Sequence, residues 1–228
     1  MSATEAERVF LVDVDNTLLD NDRIQADIRT HLAQAYGDDS RDRYAQILQQ
    51  LWDQLGYRDY LGALQRYRAE HPQHVELLTM SAWLLDYPFA DCLYPGALQL
   101  LAHLGQAGPV VILSDGDVVF QPRKVQRAGL ADAVAGRVLI YIHKEQALDD
   151  VLHRHPARHY VLIDDKPRIL AAVKRQWKDR VTTVLPRQGQ YALDTAALAA
   201  GPAPDLQVEH IGELLTHDAH SLARRPPR

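Results

Sequence analysis

Five short apolar runs, set apart by helical stretches, constrain this chain more than any other feature. They are Val9–Val12, Val110–Leu113, Val138–Ile142, Tyr160–Ile163 and Val181–Leu185. Short apolar runs bounded by polar clusters read as strands buried on both faces. Strands that alternate with helices pair in parallel through right-handed crossovers. The spacing predicts an α/β fold: a doubly wound, mainly parallel five-stranded sheet with helices on both faces. Apolar residues make up 46% of the 228 and charged residues 24%, the balance that such a core requires of a globular chain.

One long interval departs from the alternation. Residues 20–88 carry almost no strand signal. Ile24, Ile28 and Leu32 recur at helical spacing, as do Ile47, Leu48, Leu51 and Leu55, then Leu61, Leu64 and Tyr67, then Leu77, Leu78, Trp83 and Leu84. Breaks fall near Gly37–Ser40, at Gly56 and at His71-Pro72. This predicts four helices packed as a small all-helical domain. Residues 1–19 and 89–200 then form the discontinuous α/β core. Within it, helices are expected from Pro95 to Gly105, up to Gly129, from Lys144 to about His153, and from Pro167 to about Lys178. Residues 201–228, rich in Pro and Ala, read as a tail whose last five residues, Arg224–Arg228, are disordered.

Ligands of open parallel sheets bind beyond the carboxyl ends of the strands. The first run ends in Asp13-Val14-Asp15-Asn16-Thr17, the second in Ser114, and the fourth in Asp164-Asp165, while Lys144 follows the third. Two carboxylates about 4 Å apart repel by about 4 kcal/mol at an effective dielectric of about 20. A chain that places them at a buried strand end holds a cation there or keeps a proton on one of them. Acidic, hydroxyl and ammonium groups meeting at one edge make a stronger case than any one of them alone.

These four strand ends resemble the motifs of the haloacid dehalogenase superfamily, in its phosphatase branch. Asp13-Val14-Asp15-Asn16-Thr17 looks like the first motif, Ser114 the second, Lys144 the third and Asp164-Asp165 the fourth. The likeness spans residues 8 to about 186, and the helical interval resembles the family's cap inserted after strand one. The resemblance implies a phosphomonoester hydrolase with Asp13 as nucleophile and Asp15 as the acid that protonates the leaving oxygen and later activates water. Ser114 would donate to a phosphoryl oxygen, and Lys144 would neutralise Asp13 and the phosphoryl group. The implied cofactor is Mg²⁺, held by Asp13, the backbone carbonyl of Asp15 and one of Asp164 and Asp165, with Asp165 favoured. Dehalogenases of this kind lack an acid at the position of Asp15, which points to a phosphate ester rather than a carbon–halogen bond. Asn16 departs from the glycine common there.

Some assignments stay open at this level. Lys124 and Lys166 compete with Lys144 for the catalytic role. Trp52, Tyr57, Tyr60, Tyr67, Arg58, Arg66 and Arg68 are candidates to touch substrate, although aromatic residues at helical spacing more often pack. His153, His155 and His159 read as a solvated helix end rather than a zinc site, since no cysteine accompanies them. A phosphomutase, a phospho-receiver and a catalytically silent protein are the competing functions.

The net charge of -5 argues against nucleic acid or an anionic membrane as the main partner. The expected partner is a small phosphorylated metabolite, nucleotide- or sugar-phosphate-like. Monomer and homodimer are both open. One cysteine, Cys92, excludes an internal disulfide. The start of the chain lacks the pattern of a signal peptide, and no apolar run approaches the roughly 20 residues of a membrane span. A cytoplasmic location is the expectation.

Overall fold

The computed structural model describes residues 5–73 and 77–222. Its sheet has six parallel strands, one more than expected. They are β1 (Ala6–Val12), β2 (Val110–Asp115), β3 (Val138–Tyr141), β4 (Ala157–Ile163), β5 (Val181–Pro186) and β6 (Leu206–Val208), in the order β3-β2-β1-β4-β5-β6. Phe10 lies level with Val110 on one side and Val161 on the other, and Val12 with Ile112 and Ile163. Side chains alternate across a strand. Phe10, Val12, Ile112, Val161 and Ile163 therefore enter one core, while Val9, Leu11, Val111, Leu113 and Leu162 enter another on the opposite face. Both faces are covered, which is why the runs are apolar without alternation.

Four helices follow β1: α1 (Asn21–Tyr36), α2 (Asp38–Leu55), α3 (Tyr60–Glu70) and α4 (Leu77–Asp86). Asp20 accepts from Arg23 N at the start of α1, and Asp59 from Gly62 N at the start of α3. Gly37 alone separates α1 from α2, so Asp38, Asp39 and Ser40 join the first turn of α2. Gly56 ends α2 in the left-handed conformation. Leu77 and Leu78 belong to α4, but their side chains lie outside the described residues. The entry and exit of this insertion are stitched side by side. Asp20 N donates to Cys92 O, Tyr94 N donates to Leu18 O, and Leu19 bridges Leu93 in antiparallel fashion.

The rest of the chain alternates. Helices α5 (Ala97–Gly105), α6 (Phe120–Arg127) and α7 (Leu130–Ala133) pack on the face shared with the insertion. Helices α8 (Leu148–Arg154) and α9 (Pro167–Trp177) cover the other face, and α10 (Thr195–Ala199) lies against α9.

Three expectations need correction. Gly96, in the left-handed conformation, keeps Pro95 out of α5. The helix expected from Lys144 is instead a 3₁₀ turn, Lys144–Gln146, followed by α8. The stretch read as a tail is structured as far as Leu222. It carries β6, a 3₁₀ segment at Ile211–Thr216 and α11 (Ala219–Leu222), and it buries Val208, Ile211, Leu214 and Leu222. Arg224–Arg228 lie outside the described residues. No helix among the described residues is long and apolar enough to cross a membrane.

Candidate active site

The ladder of β1 continues into the first acidic residue. Asp13 N donates to Ile163 O, so the Asp13 carboxylate starts from the end of a buried strand and is itself buried. The chain then turns sharply. Asn16 takes the left-handed conformation, with φ of 59°. Asparagine tolerates this better than most residues, which explains its standing where glycine is common. Its side chain is also used: Oδ1 accepts from Asn21 N and Asp22 N, and Nδ2 donates to Asp22 Oδ1. Thr17 ties the turn to the next strand end, since its Oγ1 accepts from Asp165 N at 3.0 Å and donates to Asp13 Oδ2 at 3.4 Å.

Lys144 is fully buried, and the 3₁₀ turn aims it inward. Its Nζ donates to Asp13 Oδ1 at 2.5 Å and to Leu113 O at 3.3 Å, and lies 2.6 Å from Asp164 Oδ2. The turn is fixed at its start by Lys144 N donating to Asp115 Oδ1. Burial opposes the charge on Lys144, but Asp13, Asp164 and Asp115 outweigh it and hold the ammonium well above its usual range. Burial pushes the Asp13 carboxyl up to about 6, with Asp164 and Asp15 adding to the rise and Lys144 and Lys166 opposing it.

Asp164 and Asp165 play different structural parts. Asp164 sits between the Lys144 ammonium and Lys166 N, which donates to its Oδ1. Asp165 is buried, and neither of its carboxylate oxygens accepts a hydrogen bond. Burial raises its carboxyl well above the usual range; Asp13 and Asp164 act in the same direction, against Lys166 and Lys144. Asp13, Asp164 and Asp165 each place one carboxylate oxygen within 4.8 Å of the others, and no other group of described acids, histidines or cysteines does so. An all-oxygen set with two orphaned oxygens suits a hard divalent cation such as Mg²⁺.

Ser114 ends β2 and is buried. Its Oγ accepts from Gln121 Nε2 at 2.9 Å and donates to Asp115 O at 3.4 Å. Lys124 does not reach Asp13. Its Nζ donates to Asp15 Oδ1 at 2.7 Å and to Asn21 Oδ1 at 3.0 Å. Lys166 lies 3.6 Å from Asp115 Oδ2. Burial opposes its charge, but Asp13, Asp115 and Asp165 prevail and raise its pKa.

A cleft of about 90 Å³ opens between the sheet edge and the α2–α3 connection. Asp15, Asp115 and Lys166 line it from the sheet edge, Trp52 and Tyr60 from α2 and α3, and Tyr57 and Arg58 from the connection between them. Arg58 Nε is buried there without a hydrogen-bond partner. Tyr67, Arg66 and Arg68 do not line it. His153, His155 and His159 do not form a metal cluster, and His159 pairs with Thr182 Oγ1.

One part of the site escaped the sequence reading. The loop after β5 presses on the Asn16 turn. Gln188 Nε2 donates to Thr17 O and Asn16 O, while Gln188 Oε1 accepts from Ile211 N. Gly189, with φ of 68°, sits so close that a Cβ would come 2.5 Å from the Asn16 side chain. A polar residue and a glycine at the carboxyl end of a fifth strand were the available signal.

Comparison with known proteins places this arrangement. The family model for the haloacid dehalogenase-like hydrolases matches residues 7–185. The chain belongs to that family. A haloacid dehalogenase-like hydrolase from Burkholderia xenovorans LB400 is 57% identical, with a TM-score of 0.90, covering 96% of this chain and 100% of its own. At 16% identity, the fold is shared with the magnesium-bound HAD-hydrolase YfnB from Bacillus subtilis, with a TM-score of 0.62 and coverage of 94% and 99%. At 20% identity it is shared with the L-2-haloacid dehalogenase from Xanthobacter autotrophicus, with a TM-score of 0.57 and coverage of 92% and 97%. None of the curated proteins matches the sequence.

Proposed function

We propose that the chain is a Mg²⁺-dependent phosphomonoester hydrolase acting on a small anionic metabolite. The observation that carries this reading is the second carboxylate. Asp15 lies two residues beyond Asp13, lines the cleft and has its own buried lysine. Displacing a halide needs no proton donor, whereas displacing an alcohol from phosphorus does.

In this reading Asp13 attacks phosphorus, an O–P bond forms, and the bond to the leaving oxygen breaks as Asp15 delivers its proton. Asp15 then takes a proton from water, which attacks the phosphorus of the aspartyl-phosphate, releasing phosphate and freeing Asp13. Lys144 keeps Asp13 aimed and partly neutralised. Ser114 and the backbone N–H groups of the following turn donate to phosphoryl oxygens. Bound Mg²⁺, with Asp13, the Asp15 carbonyl and Asp165 as its ligands and Asp164 beside them, supplies the charge neutralisation that a dianionic ester requires. The helices of residues 20–88 act as the cap. Their Arg58, with Lys166 and Arg168 of the opposite wall, suits an anionic substrate.

A second reading, hydrolysis of a carbon–halogen bond, draws on the dehalogenases that share the fold. Both readings use Asp13, so the products separate them. Purified protein with Mg²⁺ is expected to release phosphate from p-nitrophenyl phosphate, and Asp13→Asn to abolish it. Halide release from a 2-haloacid, with no phosphate from a broad ester panel, would overturn the proposal in favour of the second reading. Turnover that requires a bisphosphate activator would point to a phosphomutase.

A further inference from the structure

We infer that Lys124 is a positioning residue that holds Asp15 for proton transfer to the leaving oxygen; this rests on the hydrolase reading above. The sequence offered Lys124 only as a rival to Lys144. The two lysines are divided instead, one to each carboxylate of the first motif: Lys144 to Asp13 and Lys124 to Asp15.

Lysines usually carry their ammonium out to water on a flexible stem. Lys124 does the opposite. It is 1% exposed, although it lies in the last turn of the short, mainly polar α6. Burying an ammonium is costly unless it is paired and hydrogen-bonded. Here Asp15 Oδ1 at 2.7 Å and Asn21 Oδ1 at 3.0 Å accept from it, and the Phe120 ring lies 5.3 Å away. Lys124 does not line the cleft, while Asp15 and Asn21 do. It therefore acts on the reaction through Asp15 rather than on the substrate. With Oδ1 anchored from behind, Asp15 Oδ2 makes no hydrogen bond among the described residues, which leaves that oxygen for the proton. Asn21 opens α1, so the same ammonium ties α6, the Asp15 turn and the first helix of the insertion together.

A merely structural lysine and a positioning one differ in a measurable way. Loss of a p-nitrophenolate needs little protonation, whereas loss of an alkoxide needs the proton of Asp15. The ratio of kcat/KM for an alkyl phosphate to that for p-nitrophenyl phosphate reads this step, and it does not depend on how much of the protein is folded. Lys124→Met is expected to lower that ratio about tenfold or more. Asn21→Ser, which loosens the lysine from its other side, should lower it less. In an Asp15→Asn background, Lys124→Met should change the ratio no further. An unchanged ratio, with both esters slowed equally, overturns the inference and leaves Lys124 structural. A further drop in the Asp15→Asn background overturns it too, because Lys124 would then act independently of Asp15. Failure of the wild type to release phosphate from either ester overturns the hydrolase reading itself, and the inference with it.

Discussion

Removing the charge of Asp13 should make the metal-free protein more stable while destroying its activity. The carboxyl is buried and raised from 3.8 to about 6, mainly by desolvation. One pKa unit corresponds to about 1.4 kcal/mol, so this difference makes the ionised form roughly 3 kcal/mol less favourable in the fold than in the unfolded chain. Between pH 3.8 and about 6 the folded chain retains a proton that the unfolded chain has lost. Stability therefore falls as pH rises through that window, and the full penalty stands above it. An asparagine imitates the neutral carboxyl. In EDTA at about pH 7.5, Asp13→Asn should be more stable by up to roughly 3 kcal/mol, raising Tm by about 6–12 °C in a chain of this size. Near pH 4 the gain should shrink towards zero. Thermal and urea unfolding of both proteins across this pH range provide the assay. A variant less stable than wild type at pH 7.5, or a gain that does not change with pH, would refute the reasoning.

Other outcomes follow from the same contacts. Mg²⁺ at about 100 times its Kd should stabilise the wild type by about 2.7 kcal/mol, and Asp165→Asn should abolish that thermal shift. Gly189→Ala should destabilise the fold by roughly 1–3 kcal/mol and lower kcat, because it strains a left-handed residue and pushes on Asn16; circular dichroism and steady-state kinetics check both. Truncation after Ala200 removes the buried Val208, Ile211, Leu214 and Leu222. Each buried side chain of this size contributes about 1.5–3 kcal/mol, so the shortened chain should lose its cooperative unfolding transition.

The central strands and their polar ends were legible in the sequence because parallel strands are buried on both faces and stop where polar groups begin. Asp13, Ser114 and Asp164 are read this way, and the sheet delivers each to one edge. What could not be read was set by partners far away in the chain. The three residues of β6 follow Pro202-Ala203-Pro204 and lie on the sheet edge with only Val208 buried, so they carry no pattern of their own. Lys144 takes a 3₁₀ turn rather than a helix because Asp115, 29 residues earlier, holds its N–H. Nothing local distinguishes Lys124 from a solvated helix lysine; Asp15 and Asn21, more than 100 residues away, decide its direction. The Gln188 clamp has the same origin.

The stitching of Asp20 to Cys92 and of Leu18 to Tyr94 has a consequence for how such a chain can vary. The two crossings lie side by side, so the core sees the helical insertion as one closed loop with fixed ends. Doubling the length of a loop so anchored adds only about 0.6 kcal/mol of closure entropy. A longer or shorter insertion therefore costs little closure entropy, while Asn21 and Asp22 at its start stay tied to the Asn16 turn and Gln190. Lys124 adds a further hold there, since its Nζ donates to Asn21 Oδ1. A graft that begins after Asp22 keeps these contacts with the strand ends, and one that begins before Asn21 does not.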